Sequence, residues 1–185
     1  MEAQLLDLAR AGDADAIDIL LREIRPLVQR RCARLLPFPQ DAEEASQDAL
    51  LTIAMKISTY TGSGSFEGWV NAVATNQARM TYRSLKRRYA EIGAHEQPDS
   101  VDPARTSVIA GGRVDLLEAV EALEKAHPET VEAFMLRDLA TLPYDEIAEQ
   151  IGSPLGTVKA RIHTARRFLR EKLRVGDNLS DVARI

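Results

Sequence analysis

Cysteine is almost absent from this sequence, since Cys32 is the only one among 185 residues. An intramolecular disulfide is therefore excluded, and a cysteine-rich zinc site is not expected. The three histidines, His95, His127 and His163, are too scattered to form a metal site. We expect no cofactor, and we expect Cys32 to be a small buried side chain.

Long hydrophobic runs are also missing, and no segment approaches the roughly 18 apolar residues of a membrane span. The first residues are acidic and amphipathic, unlike a cleaved secretory signal. The chain has no phosphate-binding glycine loop and no credible catalytic dyad. We therefore expect a cytoplasmic protein without membrane insertion and without enzymatic activity of its own.

Charge is separated along the chain. The net charge is -4 and the pI is near 5.5, which argues against a protein that coats nucleic acid through bulk electrostatics. Basic residues are concentrated in 79–88 and in 159–174, whereas 41–48 is acidic. This pattern predicts two surfaces that contact DNA and a third that contacts a basic protein surface.

Residues 143–174 have the pattern of two helices joined by a tight turn. Apolar residues recur at helical spacing on both sides of Gly152, which suits a positive backbone φ. Ser153 is the expected N-cap of the second helix, and Leu155 is expected to start its apolar stripe. The other faces are basic, so we predict a DNA-reading helix-turn-helix. Its candidate contacts are Ser153, Pro154, Gly156, Thr157, Lys159, Arg161, His163, Arg166 and Arg167.

Helical periodicity also dominates the rest of the chain, and strand alternation is missing. Asp13 and Ser65 are expected to cap helices, and Asp41 with Glu44 has the spacing of a capping box. Residues 90–112 contain two prolines and several glycines and are interpreted as a linker. The predicted fold is all-α, with two small helical domains at 1–89 and 113–174, a flexible linker at 90–112 and a tail at 175–185.

Two ordered segments then carry a family resemblance. The run GSPLGTVKARIHTARRFLRE resembles region 4 of the extracytoplasmic-function (ECF) sigma factors of bacterial RNA polymerase, within the sigma-70 family. The segment from Asp41 to Arg88 resembles region 2 of the same family: an acidic helix with Gln47-Asp48, a glycine loop, Ser65-Phe66-x-x-Trp69, and a helix that carries Asn76 and ends in arginines.

The resemblance implies an alternative sigma factor that binds core polymerase, reads the -35 element with region 4 and melts the -10 element with region 2. It implies that Asp41, Glu44, Gln47 and Asp48 dock on core polymerase. The loop 59–65 and the following helix are expected to hold the -10 strand through Lys56, Ser63, Asn76, Arg79, Arg83 and Arg87, because an unstacked base needs a pocket. An anti-sigma factor is a further implied partner.

The sequence departs from the family pattern at three positions, and two other functional interpretations stay open. Thr75 and Met80 stand where family members often carry arginine and aspartate, and Pro143 stands where a serine or threonine cap is usual. Trp69 lies on an apolar stripe, which favours a packing role over base stacking.

The alternative functions are a stand-alone helix-turn-helix regulator that binds duplex DNA as a dimer, and a helical adaptor that binds only protein.

Overall fold

Helices make up all the regular structure of residues 3–62, 64–92 and 103–182, which are the residues that the computed structural model describes. This confirms the all-α prediction. The chain divides into two units, Met1–Asp99 and Ser100–Ile185. Within the described ranges no helix combines the length and the apolar character that crossing a membrane requires.

The described residues of the first unit form four α-helices: α1 (Ala3–Arg10), α2 (Ala14–Leu35), α3 (Pro39–Lys56) and α4 (Phe66–Ile92). A 3-10 helix, Ile57–Thr59, extends α3. The core lies between α2, α3 and α4, because these helices bury one stripe each. Val28, Ile53 and Val70 are completely buried there. Cys32 is buried as expected, and its burial raises the pKa of the thiol to about 11.

Two of the predicted caps of this unit are confirmed and one is wrong. The Asp13 carboxylate accepts a hydrogen bond from the Ala16 backbone N–H at 2.8 Å, and the Ser65 hydroxyl accepts one from Gly68 at 3.1 Å. Asp41 caps no helix, because α3 already begins at Pro39. Proline suits the first helical position, so the helix starts before the predicted capping box, and Asp41 lies inside its first turn.

The second unit contains α5 (Pro103–Ala126), α6 (Pro128–Phe134), a π-helical turn (Met135–Leu139), α7 (Tyr144–Gln150) and α8 (Leu155–Val182). Its core joins α5, α6 and α8. Val120, Leu123, Phe134 and Leu169 are among its buried side chains. The helix-turn-helix consists of α7 and α8, and α8 rests on this core through one face.

The ends of the second unit differ from the predicted linker and tail. Helix α5 begins at Pro103, well before Arg113, so part of the expected 90–112 linker is helical. The reason is that residues 104–110 are compatible with a helix and Pro103 suits its first turn, while the later glycines do not end it. Helix α4 extends to Ile92. Helix α8 extends to Val182, so most of the expected tail continues it, and the middle of the expected linker lies outside the described residues.

Candidate nucleic-acid and partner interfaces

The turn between α7 and α8 has the predicted glycine geometry but a different use of serine. Gly152 has φ 60°, a left-handed conformation that glycine adopts without steric cost. Helix α8 starts at Leu155, so Ser153 precedes its cap position. The Ser153 hydroxyl instead donates to the Ile151 carbonyl at 3.5 Å and accepts from Arg161 Nη1 at 3.1 Å. Arg161 thus braces the turn, and the predicted N-cap role of Ser153 is wrong.

One face of α8 is buried and the opposite face is exposed and basic. Val158, Ile162, Ala165 and Leu169 are buried at helical spacing. Leu155 was expected to begin this stripe, but 43% of it is exposed, because Val158 is the first α8 side chain to reach the core. The exposed stripe consists of Gly156, Lys159, Ala160, His163 and Arg167.

The other predicted contacts of this region lie around that stripe. Pro154 and Thr157 are exposed, and Arg161 is half-buried against the turn. A Cβ atom at Gly156 would meet no atom within 4 Å. Packing therefore does not require this glycine, although a glycine inside a helix costs about 0.5–1 kcal/mol relative to alanine.

Arg166 differs from its neighbours because Asp138 holds it. Its Nε donates to Asp138 Oδ2 at 3.1 Å, and its Nη2 donates to Asp138 Oδ1 at 2.6 Å. The hydrogen bond to Asp138 is the main cause that raises the pKa of Arg166, and burial opposes it. The sequence pattern did not predict this partner, which precedes Arg166 by 28 positions.

The acidic face of α3 brings the four predicted docking residues together. Asp41, Glu44 and Asp48 follow at helical spacing, with Gln47 beside them, and all except the half-buried Asp41 are exposed. Burial is the main cause that raises the pKa of Asp41; Glu44 raises it further, and Arg88 opposes the shift. Asp48 also accepts a hydrogen bond from Gln77 of α4 at 3.2 Å.

Two apolar residues that the sequence analysis missed continue this acidic face. Leu51 is 59% exposed and Met55 is 66% exposed. With Glu44 and Asp48 they share the spacing of one helical stripe. That spacing was the available signal, but in the sequence it did not distinguish exposed from buried apolar residues. A large apolar side chain beside carboxylates on an exposed face is typical of a partner surface.

The loop between the 3-10 helix and α4 is closed by Tyr60. Its hydroxyl donates to the Gly64 carbonyl at 2.8 Å. The Tyr60 ring contacts Phe66 and Trp69 with centroid distances of 5.4 and 5.6 Å, and Phe66 stacks on Trp69 at 5.8 Å. Trp69 is half-buried in this cluster, which agrees with the predicted packing role. Ser63 lies outside the described residues.

Most of the predicted -10 contacts share one face of α4. Asn76, Arg79, Arg83 and Arg87 follow at helical spacing; Arg79 is half-buried and the others are exposed. Lys56 is exposed on a different element, at the end of α3. Met80 is 52% exposed, and Thr75 is buried. In the described part of the chain, no three histidine, cysteine or acidic side chains cluster as metal ligands would.

Comparisons with known proteins match both units. The family model for sigma-70 region 2 matches residues 20–88, and the model for sigma-70 region 4 matches residues 115–169. SigE, an ECF RNA polymerase sigma factor of Mycolicibacterium smegmatis, is 31% identical over 173 residues, which cover 88% of this chain and 64% of that protein.

Other relatives match over almost their whole length. The RNA polymerase sigma-H factor of Pseudomonas aeruginosa is 24% identical, with 93% of each chain covered. SigW of Bacillus subtilis, an ECF sigma factor, is 27% identical, with 89% of this chain and 92% of that protein covered. The solved structure of CnrH in complex with the cytosolic domain of CnrY has a TM-score of 0.53 at 19% identity, covering 92% of this chain and 96% of that one.

Proposed function

The chain belongs to the extracytoplasmic-function sigma factors of the sigma-70 family, and we propose that it serves bacterial RNA polymerase as an alternative sigma factor. In this role it binds core polymerase and directs initiation at a specific set of promoters. The observation that carries the proposal is the ordered pair of matches, region 2 within the first unit and region 4 within the second.

The second unit reads the -35 element as duplex DNA in this proposal. Helix α8 offers a basic exposed stripe opposite its buried face, as a recognition helix in the major groove requires. We assign base-edge or nearby phosphate contacts to Thr157, Lys159 and His163, and a phosphate contact to Arg167. Ser153, Pro154, Gly156, Arg161 and Arg166 belong to the same proposed surface. Gly156 supports it further, because its small size permits a close approach of DNA to the backbone.

The first unit opens the -10 element in this proposal. Opening requires that an unstacked base be captured, which recovers a few kcal/mol per base. The Tyr60-closed loop is the proposed capture element, with Lys56 and Ser63 as polar groups. The face of Asn76, Arg79, Arg83 and Arg87 then follows the single strand through hydrogen bonds and positive charge.

Core polymerase binds the acidic face of α3 in this proposal. Asp41, Glu44, Gln47 and Asp48 supply charge complementarity to a basic partner surface, and the exposed Leu51 and Met55 supply buried apolar area.

Regulation and location complete the proposal. The family resemblance implies an anti-sigma factor that restrains the protein. Such a protein works beside core polymerase in the cytoplasm and has no enzymatic activity of its own. We retain the domain boundaries 1–89 and 113–174 as working limits, with 90–112 as the connection and 175–185 as an appendage without an assigned role.

Run-off transcription with purified core polymerase tests the proposed function. The full-length protein is added to core enzyme with a library of genomic promoter fragments. We expect specific transcripts only when both are present, and the shared -35 and -10 elements are read from the templates. A stand-alone regulator is not favoured, because the region 2 match accounts for the first unit. Specific duplex binding by the free protein, without polymerase and without transcripts, would reverse this choice.

A further inference from the structure

Asp138 and Arg166 join two elements of the second unit that are distant in sequence. Asp138 lies in the π-helical turn Met135–Leu139, and Arg166 lies in α8. The carboxylate accepts from two donors of one guanidinium, at 3.1 and 2.6 Å. Such a bidentate pair fixes the angle between its partners as well as their distance. A π-helical turn is itself rare and occurs often at functional sites.

A second arginine ties the same turn to α7. Arg137 Nη1 donates to the Leu142 carbonyl at 2.7 Å, and its guanidinium lies 4.5 Å from the ring centre of Tyr144. The first residue of α7 is therefore in contact with Arg137. Adjacent residues of the π-helical turn thus hold the two helices of the helix-turn-helix.

The pairing changes what Arg166 can offer to DNA. Two of its five N–H donors are directed at Asp138, and its charge is balanced by a carboxylate. A DNA phosphate would have to compete with that carboxylate, and the release of a counterion on DNA binding would be smaller than for a free arginine. Arg167, its neighbour in sequence, is exposed on the proposed DNA stripe and provides an internal comparison.

We propose that Asp138 is a positioning residue for promoter recognition, which acts through Arg166 to set the orientation of α8 against α7. This inference rests on the proposed reading of the -35 element by α8. Asp138 contributes no DNA contact in this mechanism. Its carboxylate holds Arg166, and the held helix presents Lys159 and His163 to the groove at a defined angle. Arg166 is then a part of the same positioning device and only secondarily a phosphate ligand.

The role is directed at specificity and not at stability. Both side chains are partly exposed, 43% for Arg166 and 27% for Asp138. Ion pairs of this exposure contribute little to folding, so loss of the pair should leave the second unit folded. A small change in helix angle, in contrast, moves base-contacting atoms at the recognition end of α8, and hydrogen bonds to base edges depend steeply on geometry.

The test uses holoenzyme assembled from core polymerase and full-length variants. Asp138→Asn removes the carboxylate and keeps the shape, Asp138→Glu keeps the carboxylate, and Arg167→Ala is the matched control for a lost phosphate contact. The binding affinity of each holoenzyme is measured for the preferred -35 element from the promoter library and for a scrambled -35 element, over a series of salt concentrations. Thermal unfolding of each free variant verifies that it is folded.

For Asp138→Asn we expect the preference for the correct -35 element to fall by roughly fivefold or more, the low end of what the loss of one base contact removes. Its salt slope should not fall, because the substitution removes no phosphate contact, and Asp138→Glu should recover at least part of the preference. Arg167→Ala should weaken binding to both templates equally and reduce the slope by about one.

Three other results overturn the inference. If Asp138→Asn strengthens binding to both templates by the same factor, Asp138 masks a phosphate-binding arginine and does not position the helix. If Asp138→Asn matches the wild type on both templates, the pair has no role in recognition. A folded Asp138→Glu that is as defective as Asp138→Asn also contradicts the carboxylate mechanism. If the wild-type holoenzyme itself shows no -35 preference, the proposed function of the second unit fails, which is a separate outcome.

Discussion

The Tyr60 hydroxyl donates a hydrogen bond to the Gly64 carbonyl, 2.8 Å away, and this bond links two residues of the segment before α4. Its aromatic ring meanwhile packs on Phe66 and Trp69. The hydroxyl and the ring therefore have separate tasks. The ring belongs to the core of the first unit, while the hydroxyl links Tyr60 to Gly64 in the loop that we propose as the base-capturing element.

Tyr60→Phe separates these two tasks, since it removes only the hydroxyl. We expect a loss of about 0.5–1.5 kcal/mol in folding stability and a weaker preference among -10 sequences, with the -35 preference intact. Run-off transcription on matched -10 and -35 template variants measures the two promoter preferences. Thr59→Ala is the control. It also removes a hydroxyl group that donates a hydrogen bond, in this case to the Lys56 carbonyl at 2.7 Å, and it leaves the Tyr60–Gly64 bond in place. Equal effects of the two variants on -10 preference would contradict the closing role.

Charge reversal on the acidic face of α3 should separate polymerase binding from promoter choice. Glu44→Lys with Asp48→Lys places like charge against a basic partner, so the affinity for core enzyme should fall by about tenfold or more. The control pair, Asp15→Lys with Glu23→Lys, changes the net charge equally on the exposed side of α2. Equal loss in both pairs, measured as the Kd for core polymerase, would assign the effect to net charge alone.

Alanine substitutions at two basic residues of α8 should weaken DNA binding in different ways. Lys159 lies near the start of the exposed stripe, so Lys159→Ala should cost about 1–3 kcal/mol at the preferred -35 element and flatten the preference there, if it contacts a base. Arg167→Ala should weaken all templates alike and lower the salt slope by about one. Holoenzyme binding to -35 variants over a salt series distinguishes them. A uniform loss for Lys159→Ala would assign that residue to the phosphates.

Gly152 and Gly156 offer a matched pair of alanine substitutions, since a Cβ atom at either position would meet no atom within 4 Å. Gly156 is the second residue of α8, so Gly156→Ala should stabilise the second unit, by at most the roughly 0.5–1 kcal/mol of a mid-helix glycine. Gly152 has φ 60°, so Gly152→Ala should destabilise it by about 1 kcal/mol or more. Thermal unfolding followed by circular dichroism measures both.

Binding provides the second readout for Gly156. If DNA approaches the backbone there, the more stable Gly156→Ala holoenzyme should bind the preferred -35 element less tightly, because the added methyl group enters that contact. A variant that is more stable and binds equally well would remove Gly156 from the proposed DNA surface.

Much of the architecture could be predicted from local patterns. The all-α class, the buried stripe from Val158 to Leu169, the glycine turn at Gly152 and the caps at Asp13 and Ser65 all depend on residues within a few positions of one another. Helical periodicity and capping are local by nature, because they arise from the backbone hydrogen bonds of one element. The basic stripe of α8 and the acidic face of α3 belong to the same class of predictable features.

Helix ends were less predictable than helix faces. Ser153 and Asp41 both have the chemistry of a cap, yet each helix begins at another residue, and the Ser153 hydroxyl accepts a hydrogen bond from Arg161. Several nearby residues compete for each end with similar free energies, so packing decides among them. Pro103 begins α5 inside the expected linker because proline suits the first turn of a helix.

The partners of long side chains were decided only by the tertiary structure. Arg166 and Arg167 are neighbours with the same chemistry, and by sequence both are candidate DNA contacts. The fold brings Asp138 to Arg166, across 28 positions of sequence, and leaves Arg167 on the exposed stripe. No local pattern encodes that difference, because an ion pair depends on which two surfaces meet after the helices have packed. Residue type and spacing thus predict which face of a helix is buried, whereas the contacts between helices determine which charges remain available to a partner.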